Sequence, residues 1–118
     1  VHLGGLTDKV EAWFMEEKGV KIIVTKSKNG LVDLQDLMKH LGKHEITSVM
    51  IEGGSELNSS AIKNRVVDKI LIFTAPKLIG NGLGAIGNLG VNKIDKAIDL
   101  KNPICRKVGR DMLIEGYL

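Results

Sequence analysis

Apolar positions along this chain change period several times, and the changes mark out its elements. Leu6, Val10, Trp13 and Phe14 recur at helical spacing, with Thr7 placed to cap a helix over residues 7–18 and Gly19 to stop it. Residues 20–24, VKIIV, form a short β-branched run that reads as a buried strand. A loop over 26–30 follows. Asp33 then caps a second helix over 33–41, with Leu34, Leu37, Met38 and Leu41 on its buried face and Gly42 closing it. Val49, Met50 and Ile51 predict the next strand. Residues 55–64 predict a third helix, with Leu57, Ala61 and Ile62 facing inward. Residues 69–75, KILIFTA, read as a fourth strand that stops at Pro76. Strand and helix in alternation predict an α/β fold with a mostly parallel sheet and helices on its faces.

After Pro76 the pattern changes. Gly80, Gly82, Gly84, Gly87 and Gly90 crowd residues 79–90 too closely for regular structure. The tail reads as two strands, over 97–108 and 112–118, joined by a hairpin turn at Gly109-Arg110-Asp111. No internal repeat or linker divides residues 1–118, which read as part of a single domain. Val1 stands where an initiator Met would, and Val1-His2-Leu3 resembles the tail of a strand already under way. The chain is therefore read as beginning inside a larger protein.

Composition narrows the function classes. The chain of 118 residues is 43% hydrophobic and 26% charged, enough for a packed core. A net charge of +3 is scattered as single lysines, and aromatics are only 3%. That is too few rings for a nucleic-acid stacking platform, so the basic balance points to small anions and not to nucleic acid. The lone Cys105 excludes an intrachain disulfide and fits a cytoplasmic setting. No apolar run reaches membrane-spanning length, so no membrane partner is expected.

Candidate chemistry concentrates in residues 48–62, SVMIEGGSELNSSAI. An apolar run ends in Glu52, turns on Gly53-Gly54 and leads into a helix. That order puts backbone N–H groups and a helix N-terminus where a phosphate can meet them. Glu52, at the strand's carboxyl end, falls at the crevice where open α/β sheets bind ligands. A tight turn beside a solvated acid fits the same pattern, and both readings stand at this point. Elsewhere the signals are weaker. His40 and His44 have the spacing of paired metal ligands, but Gly42 lies between them and no third ligand follows, so no metal is expected. Cys105 falls mid-strand with no neighbouring His. The glycines of 79–90 make no dinucleotide fingerprint and read as an exposed loop or a flap over a ligand.

Three segments together, SVMIEGGSELNSSAI, VVDKILIFTAPKLIG and VGRDMLIEGYL, resemble the C-terminal part of the reductase domain of bifunctional riboflavin-biosynthesis deaminase/reductase proteins. The resemblance covers residues 19–118. It implies a dihydrofolate-reductase-like three-layer fold, with helices on both faces of the sheet and a C-terminal antiparallel hairpin. It also implies an oxidoreductase that uses NADPH to reduce 5-amino-6-(5-phosphoribosylamino)uracil to the ribitylamino product, by hydride delivery to C1′ of the sugar. By the same match Glu52 contacts the substrate, and Gly53, Gly54, Ser55, Glu56, Leu57, Asn58, Ser59 and Ser60 line the cofactor. No catalytic residue is assigned. A cis bond between Gly53 and Gly54, costing about 2.5–4 kcal/mol, is a further implication.

A family domain of this kind is about twice as long as the chain, so the chain is expected to hold half a site and to be inactive alone. An unpaired sheet edge then favours association into a homo-oligomer. A different class of function stays open beside the enzyme: a nucleotide-binding or assembly module with the same fold and no chemistry. Glu52 separates the two, because an acid next to phosphates is unfavourable unless it serves another ligand.

Overall fold

The computed structural model describes residues 21–118. The helix expected over 7–18 and the start of the VKIIV run lie outside them. The chain divides into two compact units, Val1–Met50 and Ile51–Leu118.

In the first unit, β1 (Ser27–Lys28) and β2 (Leu31–Val32) form a small antiparallel hairpin. Its turn is Asn29-Gly30, with φ of 54° and 74°. Positive φ at both central residues is the turn that matches strand twist, and Asn-Gly is the pair best able to adopt it. The expected loop over 26–30 is thus a hairpin. Helix α1 (Leu34–Lys43) follows, and Leu34, Leu37 and Leu41 are its buried side chains. Each buried leucine contributes on the order of 1.5–3 kcal/mol. Gly42 does not close this helix as expected. Gly42 lies inside α1, and the chain leaves through His44 and the left-handed Glu45 (φ 60°). Ile46 N–H donates to the Leu41 carbonyl at 3.1 Å and Glu45 N–H to the Gly42 carbonyl at 3.0 Å. These paired bonds close the last turn.

In the second unit, α2 (Ser55–Lys63) is followed by β3 (Lys69–Thr74), a short 3-10 turn at Ile94–Lys96, β4 (Lys101–Val108) and β5 (Asp111–Tyr117). Helix α2 ends as α1 does. Arg65 is left-handed (φ 54°), Val66 N–H reaches the Ala61 carbonyl at 3.2 Å, and Arg65 N–H reaches the Ile62 carbonyl at 3.0 Å. The three strands make one sheet in the order β3-β5-β4, antiparallel throughout. The hairpin from β4 to β5 turns at Gly109-Arg110, with positive φ (59°) at Gly109. Leu113 in the central strand is almost fully buried. At Gly116 a Cβ would sit 2.8 Å from the Leu100 Cβ, so the central strand is glycine where Leu100 crosses it. A register shift between Lys101 and Ile104 holds Asn102 (φ 48°) and Pro103, a bulge on an outer strand where a missing N–H is tolerated.

Several expectations change here. Every ladder among the described residues is antiparallel, including that of the KILIFTA segment, which pairs with β5 from Lys69↔Tyr117 to Thr74↔Met112. Lys21–Val24 and Val49–Ile51 carry no ladder. Both runs have strand composition, but among the described residues no second strand lies alongside them, and a strand exists only by pairing. Val24 and Met50 are accordingly exposed. The β4 strand begins at Lys101 instead of residue 97, after the 3-10 turn. All described peptide bonds are trans, which corrects the cis bond expected at Gly53–Gly54. Gly54 (φ −71°, ψ 174°) already carries extended chain into the helix without it.

Candidate functional site

Helices α1 and α2 start in different ways. At α1, Asp33 is the N-cap, and its Oδ1 accepts the N–H groups of Gln35 at 3.0 Å and Asp36 at 3.1 Å. At α2 the N-cap is Gly54, and no side chain caps the first turn. The first-turn N–H groups of α2 are left to solvent or to a ligand. A Cβ built on Gly54 meets nothing within 4 Å, so open space faces this turn. Backbone N–H groups, a helix dipole and free volume together suit a phosphate oxygen. Glu56, exposed in the same first turn, favours the helix end when no anion is there.

The two glycines of the turn serve different ends. A Cβ on Gly53 would lie 2.5 Å from Leu57 Cδ2, because the Leu57 side chain leans back over the preceding turn. Leu57 thus packs closely on Gly53, whereas the space at Gly54 is open. Glu52 is exposed and makes no hydrogen bond or ion pair with any described residue.

The remaining expected cofactor residues divide by where their polar groups go. Ser59 is buried and its hydroxyl donates to the Glu56 carbonyl at 2.9 Å. Ser60 faces the other end of the helix, where Asn64 Nδ2 donates to its carbonyl at 2.8 Å. Asn58 Nδ2 donates to the Gly53 carbonyl at 3.2 Å and to the Ala85 carbonyl at 2.8 Å. Thus Glu52 is exposed and the first turn of α2 is uncapped, while the hydroxyl of Ser59 and the amide of Asn58 are engaged within the fold.

Asn58 leads to the glycine-rich segment, which the sequence marks as an exposed loop or a flap over a ligand. The Gly87 N–H donates to the Ser55 carbonyl at 2.9 Å. A Cβ on Gly87 would lie 2.9 Å from that carbonyl oxygen and 3.0 Å from Ser59 Oγ. The glycine-rich segment is therefore seated on α2 at Ala85 and Gly87. In the sequence, glycine density marked the segment as irregular but did not show what it rests on.

Outside this site the charged groups serve the fold. The Asp36 carboxylate accepts the Lys26 N–H at 2.9 Å, and that bond holds its carboxyl below the ordinary aspartate range. On the sheet, Lys69 Nζ lies 3.0 Å from Glu115 Oε2 and 5.4 Å from the centre of the Tyr117 ring, with Arg106 Nε at 3.9 Å from Glu115 Oε1. The Lys69 hydrogen bond holds the Glu115 carboxyl low and the Lys69 ammonium high. His40 Nδ1 lies 2.9 Å from the Asp36 carbonyl, and His44 Nδ1 lies 3.2 Å from Lys21 Nζ. Among the described residues no three His, Cys, Asp or Glu side chains could hold a metal, and no helix is long and apolar enough to cross a membrane.

Comparison with known proteins agrees with the resemblance. The family model described as the RibD C-terminal domain matches residues 7–114. Over 99 residues the chain is 40% identical to the riboflavin biosynthesis protein RibD of Actinobacillus pleuropneumoniae, covering 82% of this chain and 26% of that protein. It is 34% identical over 100 residues to the RibD protein of Aquifex aeolicus, covering 85% and 27%. The chloroplastic riboflavin biosynthesis protein PYRR of Arabidopsis thaliana is 29% identical over 106 residues, or 88% and 17%. The chain thus spans about a quarter of the length of the bacterial relatives, or less for the plant protein.

Proposed function

The chain belongs to the RibD C-terminal domain family, and from that premise we propose that it carries the cofactor-binding turn and one substrate contact of an NADPH-dependent reductase in riboflavin biosynthesis. The substrate in this reading is 5-amino-6-(5-phosphoribosylamino)uracil, and the product is its ribitylamino counterpart. When bound, NADPH supplies the hydride that reduces C1′ of the sugar.

The chain's own residues bind and orient. The N–H groups at the start of α2, from Gly54 to Leu57, receive cofactor phosphate oxygens. Gly54 leaves room for them because nothing lies within 4 Å of its Cβ position. Glu52, just before the turn and free of any described partner, accepts hydrogen bonds from the substrate's sugar hydroxyls. Fixing sugar and nicotinamide in one geometry is the main service a protein gives to hydride transfer. The observation that carries this reading is the uncapped start of α2 behind Glu52-Gly53-Gly54. The unengaged acid of Glu52 favours an enzyme over a module that only binds nucleotide, since a phosphate turn gains nothing from it. A soluble homo-oligomer in the cytoplasm is part of the same proposal.

Gly54→Val in the full-length protein tests it. Its extended backbone accepts a branched residue, so the fold should persist by circular dichroism while NADPH binding, read by fluorescence titration, is lost. Unchanged affinity would place the phosphates elsewhere.

A further inference from the structure

The glycine-rich segment touches α2 in a way that bears on how the open turn is aimed. Two carbonyl groups at the start of α2 are held by it or by its anchor. Asn58 Nδ2 holds the Gly53 carbonyl at 3.2 Å and the Ala85 carbonyl at 2.8 Å. Gly87 N–H holds the Ser55 carbonyl at 2.9 Å. Each peptide unit is planar, and in a trans unit the C=O and the following N–H point in opposite directions. A fixed Gly53 carbonyl therefore fixes the Gly54 N–H, and a fixed Ser55 carbonyl fixes the Glu56 N–H. These contacts fall on the carbonyl side of the turn. The segment supports the turn from that side at Ala85 and Gly87.

We propose that Asn58 is a positioning residue, which together with Gly87 pins residues 85–87 to the carbonyl side of the first turn of α2 and so aims the Gly54 and Glu56 N–H groups at the phosphate ligand. This rests on the phosphate-binding reading of that turn. Side-chain size supports it: at Gly87 any Cβ would press within 2.9 Å of the Ser55 oxygen, so only glycine seats this closely. Pre-aimed donors need no reordering when the anion arrives, which raises affinity without adding a contact.

Asn58→Leu tests the idea, since leucine has nearly the shape of asparagine and neither donor, and adds no charge beside the phosphate. Gly87→Ala approaches the same contact from the loop. Both are made in the full-length protein and read three ways: amide exchange at Gly87, the Kd of NADPH and of inorganic pyrophosphate, and the division of any kinetic loss between KM and kcat. Expected are faster exchange at Gly87 and an NADPH Kd weakened about five- to thirtyfold, the scale of one or two hydrogen bonds. Pyrophosphate should weaken in parallel, and the KM for NADPH should rise more than kcat falls. Faster exchange with unchanged Kd for both probes would overturn the aiming role and leave the functional reading intact. Unchanged exchange in both variants would overturn the clamp itself. The wild-type titration comes first: wild-type protein that binds neither probe overturns both readings together. Should Asn58→Leu fail to fold, Gly87→Ala alone decides between these outcomes.

Discussion

Asp33 closes the start of α1 with its own carboxylate, and Gly54 leaves the start of α2 without one. Around α1 the acids are engaged: Asp33 accepts two backbone N–H groups and Asp36 a third. At α2 the acid just before the turn, Glu52, accepts none among the described residues. A cap is worth about 1 kcal/mol to a helix, so a fold has reason to use one. The start of α1 is closed by a side chain, whereas the start of α2 joins an uncapped first turn to carbonyls held by Asn58 and Gly87. Two helices in one chain thus begin from an extended N-cap, one with a capping side chain and one without.

The comparison is broken most severely by giving α2 the cap of α1. Gly54→Asp puts a carboxylate where the phosphate should sit. NADPH affinity should fall by at least about a hundredfold, through lost donors and like-charge repulsion. Stability should rise by a few tenths of a kcal/mol, because aspartate caps slightly better than glycine. Titration and thermal melting on the same sample read both signs, and a variant that binds NADPH normally ends the assignment of this turn.

Glu52→Gln probes the unengaged acid. Losing a charge-assisted hydrogen bond to substrate should cost about 1–3 kcal/mol, or roughly ten- to a hundredfold in kcat/KM, while NADPH binding is spared. Steady-state kinetics within about twofold of wild type would make Glu52 a solvated surface acid.

The converse change opens α1. Asp33→Ala should lower stability by about 1 kcal/mol in denaturant titration, with no change in NADPH affinity. An effect on affinity would mean that the two helix starts are not independent.

The smallest expected effect is on acid stability. The Lys26 N–H lowers the Asp36 carboxyl, so this group's contribution is fully present above the ordinary aspartate range and is lost as pH falls through the lowered value. Asp36→Asn should therefore flatten the acid limb of the melting curve relative to wild type. Glu115, lowered chiefly by Lys69, has the same sign, and Lys69→Met should remove its share. Identical acid limbs in wild type and both variants would show that these carboxylates do not govern acid stability.

Much of this was legible locally. Asp33 announced its helix by type and position, and the leucines at 34, 37 and 41 announced the buried face. The C-terminal hairpin followed from Gly109 between two apolar runs. Asn29-Gly30 carried an equally strong turn signal, but its strands have two residues each, too short to show alternation. The end of α1 misled for another reason. Glycine was expected to stop α1, whereas left-handed Glu45 and Arg65 make the turns after α1 and α2.

Local order along the chain dictates which residues are apolar on one face, where α2 starts, and that its start holds Glu52 and two glycines. Those features depend on neighbours a few residues apart. It took folding to pair β3 antiparallel with β5, to set Leu57 against Gly53 while Gly54 faces open space, and to bring Asn58 to the Ala85 carbonyl 27 residues away. Periodicity reports which side of an element avoids water. It carries no record of which distant backbone group will arrive to accept a hydrogen bond, because that depends on how the intervening chain closes.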